Sequence, residues 1–431
     1  MSRKILVSFL GAGNYKCVCY KSWKNSAKAT ETCYAQRAIL ELYPHSDIDS
    51  IVLFETEKSK GMHGTLLWNE LVQGLRVDPN KIETEIISED VSDLSLSWKW
   101  FESLQSKFNE DDTLILDVTH GFRMVPIIFS AAVAYLKRVK NIHLDAVLYA
   151  AHDIPGCPIV DLKDFYSISD WTEGVGRLVD TADPSFLRKT AENEQSGSFA
   201  GLNNKELLDS IEELTSAFRN VELQTIEQKA RKSLELIDKF KKQTNGDLER
   251  QVLQMIVDKF QPLISEPPLD GTYSLDYLNL QLRLVKMLAE YKLYMQAFTA
   301  MNEWLGSLGV FLLHRDNKFR IDSAHSDKKA RMYAGVFLRM LEYGDKFKPE
   351  NDTDEAFRKA LYKPYCMLCE CFSSREQIEA LIENSKKIRN GFNHGWTGEN
   401  RNGVPSDIDD IFNNAMTILE KIVEKIGDDN G

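Results

Sequence analysis

Short apolar runs at residues 5–10, 50–54, 113–118 and 143–151 recur through the first 175 residues, with helix-like stretches at 31–42 and 126–137 between them. Runs this short and this apolar fit strands buried on both faces, and in 31–42 the spacing of Ala35, Ile39 and Leu42 fits one helical face. Strands that alternate with helices need crossover connections, so the segment is expected to form a mainly parallel, doubly wound sheet. Ligands of such sheets sit beyond the carboxyl ends of the strands. That rule singles out two loops: 11–16, after the first strand, and 119–123, after the 113–118 strand.

After about Trp171 the pattern changes. Residues 182–204 are polar, with Ser196-Gly-Ser-Phe-Ala-Gly201 near their end, and read as a surface connection. Residues 205–260 are charged and helical in period, ending at Pro262 and the Glu266-Pro-Pro268 breaker. Amphipathic segments then follow at 278–313, 327–343, 354–372, 375–389 and 407–426, without an intervening strand pattern. The expected architecture is therefore α/β plus α: a Rossmann-like domain over 1–175, a helical connector over 176–270 and an all-helical domain over 271–431.

Charge and cysteine content narrow the function classes. The chain has 53 Lys and Arg against 65 Asp and Glu, a net charge of −12, which argues against a surface that coats nucleic acid or anionic membrane. The deficit is uneven: residues 271–397 hold 19 basic and 16 acidic groups. Seven cysteines, an odd number spread along the chain, suit a reducing compartment. Cys366, Cys369 and Cys371 have ligand-like spacing, but without a second Cys pair or a His pair they read as thiols on a helix, and no metal site is expected. The longest apolar run, 126–136, is too short to span a bilayer and is broken by Ser130. The first residues lead directly into a strand pattern without a signal-peptide cleavage site. A cytoplasmic protein is expected.

Three segments carry candidate chemistry. In Gly11-Ala-Gly13-Asn14-Tyr15, the glycines let backbone N–H groups approach an anion, and Asn14 and Tyr15 add polar and stacking contacts. The pattern is not GxGxxG, and a plain strand-to-helix turn accounts for it equally well. Asp117-Val-Thr-His-Gly-Phe-Arg123 is denser: Thr119, His120, Gly121 and Arg123 could all face a phosphodiester, Arg123 with its bidentate fork. The structural alternative is an Asp117–Arg123 ion pair with His120 as an ordinary loop residue. The third is Arg389-Asn-Gly-Phe-Asn-His394, of the form R-x4-H. Arg138…His143 and Arg320…His325 share that form, but the first spans a helix end and a strand, and the second lies in a polar connection containing Asp322. Only Arg389…His394 follows a long amphipathic helix and includes amides, Asn390 and Asn393. Residues 385–397 hold Lys386, Lys387 and Arg389 and no acid, a small positive site with a His able to titrate near neutrality.

Taken together, these residues resemble the CRISPR-associated CARF–HEPN ribonucleases that accompany type III interference complexes. The likeness to CARF domains runs in order through Leu10-Gly-Ala-Gly-Asn-Tyr15, a Glu31-Thr32 pair placed on the next helix, the Asp117–Arg123 segment, Pro158-Ile-Val-Asp-Leu162 and Asp170-Trp171. The likeness to HEPN domains rests on the all-helical C-terminal third and the Arg389-Asn390…His394 hexad.

The resemblance implies a homodimer. Two CARF domains would share a two-fold pocket for a cyclic oligoadenylate, cyclic tetra-adenylate in the first place or else cyclic hexa-adenylate, held by Gly11, Gly13, Asn14, Tyr15, Thr119, His120, Gly121 and Arg123. The paired HEPN domains would bring Arg389 and His394 of both chains into one metal-independent endoribonuclease site acting on single-stranded RNA. The 2′-OH would attack the adjacent phosphate and leave a 2′,3′-cyclic phosphate and a 5′-OH. His394 would move the proton, Arg389 would stabilise the phosphorane-like charge, and Asn390 or Asn393 would orient them. Glu303 is a candidate partner behind them, or a solvated helix charge. No catalytic cofactor, membrane or stable protein partner is implied. The competing readings are a CARF signal-binding regulator with an inert helical domain, a ring nuclease that degrades the signal, and a HEPN toxin independent of any cyclic nucleotide.

Overall fold

The computed structural model describes the chain except for residues 1, 23, 26, 44–46, 89–92, 121–124, 194–198, 200–201, 245, 316–327, 372–374, 398–402 and 429–431. It divides into two compact units, Met1–Ser169 and Asp170–Gly431.

The first unit is built on strands β1 (Lys4–Leu10), β4 (Ser50–Glu55), β5 (Ile82–Ile86), β6 (Thr113–Asp117), β7 (His143–Ala150) and β8 (Ile159–Asp161). They form one sheet in the order β5-β4-β1-β6-β7-β8. Every pairing is parallel except that of β8 with β7. Because successive side chains alternate faces, β1 feeds two cores. Leu6 and Leu10 join Ile51, Leu53, Ile115 and Leu148 on one face, under helices α1 (Ala35–Leu42) and α2 (57–74). Ile5, Val7 and Phe9 join Val52, Phe54, Leu114, Leu116 and Val147 on the other, under α3 (Leu94–Ser106) and α4 (Val125–Val139).

Phe9 is the hub of the second core, its ring 5.4 Å from Phe54, 5.4 Å from Phe129 and 6.0 Å from Trp100, centroid to centroid. Truncating so buried an aromatic removes its transfer energy and leaves a cavity. Phe9→Ala is therefore expected to destabilise the chain by about 3–5 kcal/mol in urea unfolding; a loss below about 1 kcal/mol would contradict the packing described.

Two features of this unit depart from the sequence reading. Glu31 and Thr32 are not on a helix: they end β3 (Ala29–Thr32), which pairs antiparallel with β2 (Val18–Lys21), and α1 begins only at Ala35. The cause is local, since Thr30 and Thr32 point inward at strand spacing and Thr32 Oγ1 accepts the Tyr34 N–H (3.1 Å), ending the strand in a turn. The hairpin register sets Val18 opposite Thr32, so the next residues along, Cys17 and Cys33, face each other, and they form a disulfide.

The second unit is helical throughout its described residues. Helix α5 (Lys163–Thr181) carries the chain into it, followed by α6 (Ser185–Asn193), α7 (Lys205–Arg219), α8 (Ile226–Gln243) and α9 (Asp247–Phe260). Then come α10 (Leu275–Glu290), α11 (Tyr294–Arg315), α12 (Lys328–Tyr343), α13 (Asp352–Cys371), α14 (Arg375–Asn393) and α15 (Ile408–Asp428). The 182–204 segment is not a surface connection: it contains α6 and buries Leu187, Phe199 and Leu202, with Phe199 stacked on Trp171. The 278–313 pattern is two helices, broken where Lys292 takes φ of 59°. Helix α11 runs through the centre of the bundle. Its Gly309 lies so close to Phe337 of α12 that a Cβ there would sit 2.4 Å from the ring, so only glycine permits the approach. No helix among the described residues is long and apolar enough to cross a membrane, and no cluster of three or more His, Cys, Asp or Glu among them is placed to hold a metal ion.

Candidate functional site

In the sheet, the chain passes from β1 outward to β4 and β5, then returns across β1 to β6. Crossovers therefore diverge between β1 and β6, the switch point where a doubly wound sheet opens a crevice for ligand. Both loops singled out by the sequence leave the sheet here.

The β6 loop is fixed by its first residues. Asp117 is fully buried, and its carboxylate accepts Ser8 Oγ of β1 (2.6 Å) and the Thr119 N–H (3.0 Å). Thr119 Oγ1 in turn accepts the Ala150 N–H of β7 (2.9 Å). The Asp-x-Thr spacing thus ties the loop to strands on both sides, and the next residue, His120, is held just past the carboxyl end of β6. Gly121 and Arg123 lie outside the described residues.

The β1 loop closes on itself. Tyr15 Oη accepts the Gly11 N–H (2.9 Å) and donates to the Gly11 carbonyl (3.1 Å). Its ring is then met edge-on from two sides, by His120 at 4.6 Å and His63 at 4.5 Å, with Tyr34 at 5.3 Å. Gly13 and Asn14 form the exposed rim. His63 lies 2.8 Å by Nε2 from the Gly13 carbonyl. A carbonyl only accepts, so Nε2 carries the proton, and Nδ1 faces Tyr34 Oη at 3.5 Å. The structure therefore brings Gly11, Gly13, Tyr15, Thr119 and His120 into one cluster at the carboxyl ends of β1 and β6.

It also adds residues that the sequence reading lacks: His63, Tyr34 and His152, whose ring is 6.0 Å from that of His120. His63 comes from α2, within a π-type stretch, Lys60–Gly64, that no periodicity announces.

His120 is the chemically distinctive group. Burial holds its pKa below the ordinary imidazole value; the nearby His152 and His63 push the same way, and Asp117 opposes them. Its Nε2 is buried without a hydrogen-bond partner among the described residues, a position that a ligand hydroxyl or phosphate could satisfy. Because the folded pKa is lowered, the unfolded chain binds this proton first as pH falls. The contribution to stability is full above about pH 6.5 and is lost below it, down through the folded value. His120→Asn is accordingly expected to melt with a smaller drop in Tm between pH 7.5 and 5.5 than wild type; equal drops would show that His120 does not titrate as described.

In the second unit, Leu381, Ile382, Ser385 and Ile388 turn α14 toward the core, leaving Lys387 exposed. Arg389 and Asn390 are half-buried, and Asn393 and His394 are exposed. Arg389 and Asn393 are one turn apart on the helix, and the His394 N–H donates to the Asn390 carbonyl (2.9 Å), so the four polar groups gather at one helix end. Arg389 Nε is buried and without a hydrogen-bond partner among the described residues. Lys386 is ion-paired with Glu342 of α12, so the positive character expected over 385–397 rests on Arg389 and Lys387.

Glu303 lines a cavity of about 480 Å³ with Tyr273, Tyr277, Thr299 and Arg331; Arg389 and His394 are not among its lining residues. The other two R-x4-H pairs separate as expected in one case: Arg138 ends α4 and His143 opens β7. Arg320 and His325 lie outside the described residues.

No family model matches the chain. A CRISPR-associated protein of Methanocaldococcus jannaschii is 30% identical over 98 residues, 22% of this chain. The matched stretch spans 16% of that relative's length. Among solved structures, the chain is similar to Enterococcus italicus Csm6 bound to cyclic hexa-2′-fluoro-hexa-dAMP, with 13% sequence identity and a TM-score of 0.42 over 98% of this chain and 94% of that one.

Proposed function

We propose that this chain is a cyclic-oligoadenylate-activated, metal-independent endoribonuclease of type III CRISPR defence, of the CARF–HEPN kind. The observation that carries the proposal is the meeting of the two loops at the β1/β6 switch point, where Tyr15 is held between His120 and His63. The glycine-rich rim suits phosphate, the imidazoles and Tyr15 suit ribose and base, and His120 Nε2, without a partner among the described residues, supplies a further contact. The CRISPR association of the archaeal relative is in keeping with it. Residues 1–175 would sense the ligand, 176–270 would connect, and 271–431 would cleave.

Cyclic tetra-adenylate is the proposed activator: a pocket shared by two copies suits an even-membered ring, and cyclic hexa-adenylate is the alternative with the same two-fold symmetry. Exposed Trp98, Ile127 and Phe165, on α3, α4 and the start of α5, give the first unit apolar surface for such pairing. In the paired helical domains, Arg389 and His394 of each copy would face one RNA strand. The 2′-oxygen bonds to phosphorus as its proton passes to a His394 imidazole. The 5′-oxygen leaves and takes up a proton, and the Arg389 guanidinium offsets the charge on the phosphorane. Asn390 and Asn393 would orient these groups.

The test is digestion of a single-stranded RNA in EDTA with cyclic tetra-adenylate. Products ending in 2′,3′-cyclic phosphate and 5′-OH are expected; 3′-OH and 5′-phosphate ends, or a strict metal requirement, would overturn the mechanism. The state of His120 also favours a second activity, slow cleavage of the activator at the same loops, since a neutral imidazole whose Nε2 has no partner among the described residues can accept a 2′-OH proton. Disappearance of cyclic tetra-adenylate in His394→Ala protein would reveal it, and an unchanged ligand pool would exclude it.

A further inference from the structure

Helix α14 ends at Asn393, and the residue that shapes its end lies beyond it. Trp396 donates its backbone N–H to the Gly391 carbonyl (2.7 Å) and lays its indole on Gly391 itself. A Cβ at position 391 would lie 2.5–2.7 Å from three carbons of the indole, so the ring occupies the space a side chain would need. The same ring meets Phe392 edge-on, with centroids 5.3 Å apart. To return there, the chain passes through two successive left-handed residues, Gly395 at φ 59° and Trp396 at φ 56°. Glycine accepts that region freely. A tryptophan does not, and it stays there because its contacts with Gly391 and Phe392 hold it.

His394 sits inside this returning turn. Its N–H is bound to Asn390, and its carbonyl accepts both the N–H (3.3 Å) and Oγ1 (2.8 Å) of Thr397. The His394 side chain is exposed, so the fixed backbone around it chiefly sets its direction.

We propose that Trp396 is a positioning residue for His394: the indole seated on Gly391 locks the 394–397 turn and so holds the imidazole at a set place relative to Arg389. The proposal rests on the ribonuclease reading of that pair. It gives Gly391, inside the Arg389…His394 hexad, a purpose that spacing alone does not: it is the seat for the ring.

The experiment is steady-state, activator-dependent cleavage of single-stranded RNA by the full chain. Trp396→Ala is expected to lower kcat by up to about 100-fold, the cost of a misplacement near 1 Å. KM and the activator-induced thermal shift should stay at wild-type values, and Trp396→Phe should recover most of the rate. Gly391→Ala approaches the same contact from the other side. Alanine is the better helix former, so by helix propensity alone this variant would be neutral or stabilising, yet its methyl expels the indole and kcat is expected to fall as in Trp396→Ala. If Trp396→Ala does not fold, Gly391→Ala decides. His394→Ala run in parallel separates the two levels. Unchanged cleavage in that variant would sink the ribonuclease reading, and this proposal with it. Lost cleavage in His394→Ala, with wild-type kcat in Trp396→Ala and Gly391→Ala, would overturn the positioning role alone.

Discussion

His394→Ala is expected to lower activator-dependent RNA cleavage by about 10²–10⁴-fold, the usual worth of a positioned proton-transfer group. The imidazole is exposed at the end of α14, one turn from Asn390, so its removal costs no core packing and should leave Tm within a degree or two of wild type. Arg389→Ala should fall comparably in rate but differ in stability. Its guanidinium is half-buried with Nε enclosed, so truncation also removes packing along the aliphatic stem. Arg389→Lys should not rescue, because a point charge lacks the planar fork that a phosphorane oxygen pair requires. The readout is initial rate on a labelled RNA at saturating activator. Full activity in His394→Ala would place the chemistry elsewhere in the molecule and remove the basis for assigning α14 as the catalytic helix.

The second large effect concerns the two loops at the β1/β6 switch point. At about 100-fold excess over its dissociation constant, a ligand specific for the folded state stabilises by about 2.7 kcal/mol. Cyclic tetra-adenylate is therefore expected to give a clear rise in Tm, larger than cyclic tri- or hexa-adenylate. Tyr15→Ala should abolish it. Tyr15 does two things at once: its hydroxyl closes the loop by bonding both polar groups of Gly11, and its ring spaces His120 from His63. Without it, the rim loses its shape and the two imidazoles lose their wedge. Tyr15→Phe keeps the ring and drops only the hydroxyl bonds, so an intermediate shift is expected. A full shift in Tyr15→Ala would mean that the ligand binds away from these loops.

What could be read from the sequence follows from where each signal is stored. Strands β1, β4, β6 and β7 lie inside a doubly covered sheet, so burial on both faces writes them as apolar runs. Strand β5, an edge strand reading Ile-Glu-Thr-Glu-Ile, and the four-residue hairpin strands β2 and β3 are too short and too mixed in polarity to stand out from loop. The polar composition of 182–204 conceals that its few apolar residues, Leu187, Phe199 and Leu202, are the buried ones. The break between α10 and α11 falls on a lysine with positive φ, not on Gly or Pro, so the periodicity runs through it unnoticed.

The meeting of the two loops was legible because strand ends at a switch point are set by topology. His63, Tyr34 and His152 were not, because only the folded chain brings α2 and the segment after β7 against Tyr15 and His120. At α14, the hexad was visible as a motif. The seat that Gly391 makes for Trp396 is a contact distance, and spacing does not encode it.

Whether a small cyclic nucleotide switches on RNA cleavage is read from the rate of single-stranded RNA cleavage by the wild-type full chain, in EDTA, with and without cyclic tetra-adenylate. A rate that rises at least about 10-fold with the cyclic nucleotide, a fall of about 1.4 kcal/mol or more in the activation free energy, is the expected result. Cleavage at the same rate in its presence and absence, or none in either case, would contradict it.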